Sequence, residues 1–182
     1  MLNEDGMVYD DGVTTRLGEN HYIMTTTTGG AANVLGKLED YLQTEWPELD
    51  VYLTSVTDHY ATASVCGPNS KKILSKLIPD LDLSDENFPH MSFKNASIGK
   101  IKCRVMRISF TGEHSYEINV QANYGKSVWV GTELKLSQKR DVVQEEPVEV
   151  VFQHQAGVGI AGKLIPCHHI ENAAPYQIAL IT

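Results

Sequence analysis

Arg107-Ile108-Ser109-Phe110-Thr111-Gly112-Glu113-His114-Ser115-Tyr116-Glu117-Ile118-Asn119-Val120 is the stretch on which the reading of the chain turns. It begins as an alternating strand, breaks at Thr111-Gly112 among polar neighbours, and resumes as a second alternating strand through Tyr116, Ile118 and Val120, the pattern of a β-hairpin. Successive strand residues face opposite ways, so packing Tyr116 and Ile118 inward turns Glu117 outward. On spacing alone, Glu117 is then an ordinary solvated strand carboxylate. His114, in the turn, is expected to be exposed.

Outward from the hairpin, the chain reads as α+β. Upstream, Lys100 to Phe110 forms one long strand feeding the hairpin, and the acidic, turn-rich residues 80–97 read as loop. Ile73, Leu74 and Leu77 share one side of a helix closed by Pro79, and Val51 to Val56 and Tyr60 to Val65 alternate as strands about an Asp58-His59 turn. A helix from about Gly30 to Glu45 carries Val34, Leu35, Leu38, Tyr41 and Leu42 on one face, with Thr27 or Thr28 as its cap. Met7 to Tyr9, Val13 to Leu17 and His21 to Thr27 form a meander, with Asp10-Asp11-Gly12 as a turn. Downstream, a helix starts near Tyr124, and Val148 to Phe152 is strand-like.

Composition narrows the classes of function. The 182 residues suit one domain, or one domain with an appendage, and 42% hydrophobic with 21% charged residues is an ordinary globular balance. A net charge of -8 argues against a nucleic-acid or anionic-membrane surface, which needs clustered Lys and Arg. Cys66, Cys103 and Cys167 lack the spacing of a metal site or a disulfide framework, which fits a reducing, cytoplasmic compartment. Neither a long apolar run nor a basic-then-apolar N-terminus is present, so neither a membrane span nor a signal peptide is expected.

Two separated segments carry a family resemblance. The hairpin pattern R-I-S-F-T-G-E-x-x-Y-E-I resembles the aminomethyltransferase family: the glycine cleavage T-protein, the folate domains of dimethylglycine dehydrogenases and the α subunit of heterotetrameric sarcosine oxidase. Residues 1–17, with Asp10-Asp11-Gly12, resemble that family's other signature, and the following His21 to Thr28 is most similar to the sarcosine oxidase α subunit. The resemblance covers residues 1–130, an aminomethyltransferase-like domain that joins the family pattern at an internal position; residues 131–182 form a divergent tail. It implies tetrahydrofolate as cofactor, with flavin and NAD confined to parts of a larger complex, other sarcosine oxidase subunits as partners, and capture of the one-carbon unit of oxidised sarcosine as the 5,10-methylene adduct.

The same resemblance assigns residues. Asp11 and Asp10 face opposite ways in an extended segment and cannot form a dyad. Asp11 matches the family acid beside the reactive folate nitrogen, and Glu117 the residue that grips the pterin, one carboxylate accepting two parallel N–H bonds. Phe110 stands where T-proteins usually carry tyrosine, keeping ring packing without the hydroxyl. Thr15 stands where other members have an aromatic residue.

Other motifs are read as structural. The GxGxxG at 157–162 has Pro166 where a dinucleotide fold needs a helix, and Cys167-His168-His169 are adjacent residues that rarely converge on one metal. Two further readings compete: a T-protein taking an aminomethyl group from a lipoyl carrier, and a non-catalytic assembly module. In the latter, exposed apolar edges would favour a homo-oligomer.

Overall fold

The computed structural model describes residues 1–110, 112–137, 149–153 and 176–181. In chain order the elements are β1 (Thr14–Gly18), β2 (His21–Thr27), α1 (Ala31–Thr44), β3 (Leu53–Ser55), β4 (Tyr60–Cys66), α2 (Ser70–Leu77), β5 (Ser92–Ile98), β6 (Ile101–Arg107), β7 (Ser115–Gln121), α3 (Gly125–Ser137), β8 (Glu149–Gln153) and β9 (Tyr176–Ile181). Helices and antiparallel sheets make this an α+β protein. The chain divides into two compact units, Met1–Asp58 with Glu171–Thr182, and His59–Ile170.

The first unit is a four-stranded sheet in the order β1-β2-β9-β3. Its centre is β2, antiparallel to β1 and to β9. Ile23, Ala31 and Val34 are buried, which places one face of α1 in this core. Met7 to Tyr9 is not a strand; a single bridge joins Leu2 to Val8. Nor do Thr27 and Thr28 cap α1, whose N-cap is Gly30 without a side-chain cap bond. The Thr27 hydroxyl is engaged elsewhere, as described below.

The second unit is an antiparallel sheet in the order β5-β6-β7-β4-β8. Ala61, Ala63, Val65, Cys103, Val105, Tyr116, Ile118 and Val120 project from one face into a core with Leu74 and Leu77 of α2 and Val128 of α3. Phe88 closes it, its ring centroid 5.9 Å from that of Tyr116. Alternation along each strand assigns these residues to one face because the side-chain period is two.

Several expected boundaries move. Residues 92–97, read as loop, belong to β5 (Ser92–Ile98), joined to β6 by a two-residue Gly99-Lys100 turn in which Gly99 has φ +60. The long strand ends at Arg107, not Phe110. The segment Leu53–Ser55 is no hairpin partner of Tyr60–Cys66: β3 pairs with β9, while β4 pairs with β7 and β8. Local alternation reports that a segment is extended, not which strand it joins.

Candidate functional site

The expected hairpin is present as β6 and β7, paired from Cys103↔Val120 to Met106↔Glu117. Backbone and side-chain bonds anchor both ends of its connection. At the β7 end, the His114 carbonyl accepts bonds from Gly67 N at 3.0 Å and from Ser70 Oγ at 3.2 Å. At the β6 end, Arg107 donates from Nη1 to the Phe88 carbonyl at 2.6 Å and lies 2.7 Å from Asp85, while Met91 N donates to the Arg107 carbonyl at 2.9 Å. Gly112, at φ +87, donates its N–H to Ser109 Oγ at 2.8 Å. Glycine reaches that left-handed conformation without a Cβ penalty.

Glu117 therefore sits on a fixed frame at the centre of a five-stranded sheet, its register neighbours Ser64 on β4 and Met106 on β6. It does point away from Tyr116 and Ile118, but the expectation of a solvated carboxylate fails: Glu117 is only 9% exposed. The face opposite the helices is itself covered, since Met106 and Asn119 on it are both buried. Burial pushes the carboxyl up from 4.5 to about 7. Among the described residues no cation or hydrogen-bond donor offsets that desolvation, which leaves a poised, unpartnered carboxyl.

Asn119 and Arg104, not singled out in the sequence, flank Glu117 on the same face. They are register partners, and Thr62 Oγ1 donates to Asn119 Oδ1 at 2.7 Å. Their signal was present in the period-two pattern: Ser115, Glu117, Asn119 and Gln121 make one face of β7 polar, while Tyr116, Ile118 and Val120 make the other apolar. His114 is exposed at the connection, as expected, in a cleft of about 470 Å³ lined also by His90, Arg107 and Glu113. Phe110 lies in the connection and is 70% exposed.

In the first unit, Asp10-Asp11-Gly12 is not a turn. It runs beside β2, with Thr25 N donating to the Val13 carbonyl at 3.0 Å. Asp10 is buried, accepting Thr27 N at 3.0 Å on Oδ1 and the Thr27 hydroxyl at 2.6 Å on Oδ2. Gly12 passes so close to β2 that a Cβ would lie 1.8 Å from the Thr25 carbonyl oxygen. Asp11, held between them, is exposed, and Thr15 is half-buried on β1. The opposite facing of the two aspartates follows from the extended backbone. Asp11 and Thr15 thus belong to the first unit, Glu117 and Phe110 to the second.

Among the described residues no three His, Cys, Asp or Glu side chains converge as a metal site, and no helix is long and apolar enough to cross a membrane. The GxGxxG stretch, Cys167-His168-His169 and Pro166 lie outside the described residues.

Residues 1–134 match the family described as the GCVT N-terminal domain. The chain is 52% identical over 130 residues to sarcosine oxidase subunit alpha of Corynebacterium sp. (strain P-1), covering 71% of this chain and 13% of that protein. To the same subunit of Rhizobium meliloti (strain 1021) it is 48% identical over 130 residues, 70% of this chain and 13% of that protein. Aminomethyltransferase of Thermoanaerobacter sp. (strain X514) is 31% identical over 130 residues, 71% of this chain and 33% of that protein. The chain thus matches 13% of the length of these two sarcosine oxidase relatives.

Proposed function

Because the chain belongs to the GCVT N-terminal domain family, we propose that it is the tetrahydrofolate-binding domain of a sarcosine oxidase alpha subunit-like protein. In this reading it captures the one-carbon unit of an oxidised N-methyl amine. Flavin and NAD belong to parts of the oxidase outside this chain, and its other subunits are the partners. The preference over a glycine-cleavage aminomethyltransferase rests on similarity, 52% identity against 31% over the same length of chain.

The observation that carries the reading is Glu117, a buried carboxyl with no partner of its own among the described residues and raised to about 7. A pterin edge presents two parallel N–H donors, and an ionised carboxylate accepts both. Asp11 is the other functional carboxylate. Its exposed group, on a backbone held by the Asp10 bonds and the close approach of Gly12, would orient the reacting amine and stabilise the positive charge that develops there. Tetrahydrofolate, when bound, supplies the nitrogen nucleophile. Phe110 contributes ring packing and Thr15 a small half-buried contact.

Donation of two N–H bonds requires the ionised form of Glu117, so binding strengthens as pH rises through about 7. Between pH 6 and 8 the affinity increases about tenfold, the change in ionised fraction. Calorimetric titration of the chain with 5-formyltetrahydrofolate tests this, with Glu117→Gln alongside. Expected are micromolar binding, the pH dependence, and loss of binding in the variant. Binding indifferent to Glu117→Gln would remove the assignment, and a folded chain blind to folate would leave the assembly-module reading.

A further inference from the structure

We propose that the sheet face beside Glu117 continues into a second binding site, specific for an anionic oxygen group, a carboxylate or a phosphate, seated on Arg104 and Asn119. The first observation is a set of buried donors without acceptors. Arg104 Nε and Nη1 and Asn119 Nδ2 are each shielded from solvent and, among the described residues, without a hydrogen-bond partner, and Asn119 is 1% exposed. Buried donors left unmade are costly, so native proteins pair nearly all of them. Here three such atoms come from two residues directly opposite each other on neighbouring strands, β6 and β7. Side chains so placed emerge on the same face about 5 Å apart.

The second observation is how the two side chains are held. Thr62 occupies Asn119 Oδ1, so the amide presents its N–H groups as the free end. The Arg104 guanidinium lies 5.8 Å from the centroid of the Phe93 ring, a cation–π seat that fixes the plane but offers no acceptor. Glu117 does not neutralise Arg104, although they lie one rung apart on the same face; no ion pair joins them, and no cation contributes to the Glu117 pKa. A planar fork with an adjacent amide suits an anionic oxygen pair.

The third observation is the surrounding cleft. It measures about 720 Å³ and is lined by Arg104 and Asn119 together with Lys100, Lys102, Asn95 and Gln121. Its lining contains three cations and no Asp or Glu, in a chain with 15 basic and 23 acidic residues. A concave surface of one sign concentrates the opposite ion. Cys103, also in the lining, adds no negative charge, because burial pushes its thiol up to about 11. All of these residues belong to the second unit, and Glu117 is not among the lining residues.

Titration of the full chain with inorganic phosphate and, separately, glutarate, followed by the side-chain resonances of Arg104 Nε and Asn119 Nδ2, tests the site. Saturable shifts of both resonances with either anion are expected, and the anion that binds more tightly identifies the source as a phosphate ester or a carboxylate. Arg104→Gln should weaken binding about tenfold or more, the loss of a charge-assisted pair. The exposed double variant Lys100→Ala/Lys102→Ala, which removes no buried contact, should weaken it several-fold and flatten its salt dependence. Neither anion shifting the two resonances would overturn the proposal, leaving Arg104 and Asn119 to pair with each other through the reversed amide. Anion binding that survives Arg104→Gln unchanged would overturn it too. Glu117→Gln should leave anion binding intact, so failure here and failure of folate binding are separate results.

Discussion

Glu117→Gln should stabilise the second unit, and should do so only above a defined pH. In the folded chain the Glu117 carboxyl is raised from 4.5 to about 7 by burial, with no compensating partner among the described residues. A carboxyl whose folded value lies above its unfolded value contributes its full stability at low pH, where both states are protonated. As pH climbs past 4.5 the unfolded chain releases the proton while the folded chain retains it, so stability falls until pH passes about 7. At about 1.4 kcal/mol per pH unit, the ionised group at pH 8 costs the fold about 3 kcal/mol, an order-of-magnitude figure. Glutamine has the same shape and never ionises. The variant should therefore match the parent near pH 4 and exceed it by about 3 kcal/mol at pH 8, with a smooth rise between. Trp46 lies in the first unit and Trp129 in the second. Urea unfolding followed by Trp129 fluorescence in a Trp46→Phe background reads the second unit at each pH. A stability difference between Glu117→Gln and parent that stays flat from pH 4 to 8 would refute the reasoning, because it would mean that Glu117 is solvated or internally paired.

Three further outcomes follow from individual contacts. Tyr116→Phe removes a buried hydroxyl that has no partner among the described residues, and should raise stability by about 1 kcal/mol in chemical denaturation; a loss of that size would show that the hydroxyl is satisfied. Gly12→Ala brings a methyl to within 1.8 Å of the Thr25 carbonyl oxygen and should destabilise the first unit by several kcal/mol, seen as loss of Trp46-reported cooperative unfolding. Asp10→Ala and Asp11→Ala should separate structure from function. The first leaves the Thr27 N–H and hydroxyl unpartnered and should cost about 2 kcal/mol, while the second should stay within about 0.5 kcal/mol of the parent and, on the proposed function, lose one-carbon transfer.

How much was legible beforehand differs from residue to residue. The β6–β7 hairpin, α1 and α2 were readable because each is declared by its own periodicity within a dozen residues. Arg104 and Asn119 carried a period-two signal too, but a polar pair on an outer face reads as solvated until that face is known to be covered. The Asp10-Asp11-Gly12 stretch shows the converse. Asp and Gly are turn formers, yet here the glycine serves a close passage of two backbones and Asp10 takes the Thr27 hydroxyl that looked like a helix cap.

By itself, the sequence determined the α+β class, the extended or helical state of most segments and the opposite facing of Asp10 and Asp11 and of Tyr116 and Glu117. Those properties follow from dihedral geometry and side-chain period, which act over neighbouring residues. Tertiary structure alone decided that Glu117 is buried with its carboxyl pushed up to about 7, that β3 and β4 part company into different sheets, and that Asn119 and Arg104 meet with donors unpartnered among the described residues. Burial, strand partnership and desolvation depend on residues far apart in the chain, and no local pattern encodes them.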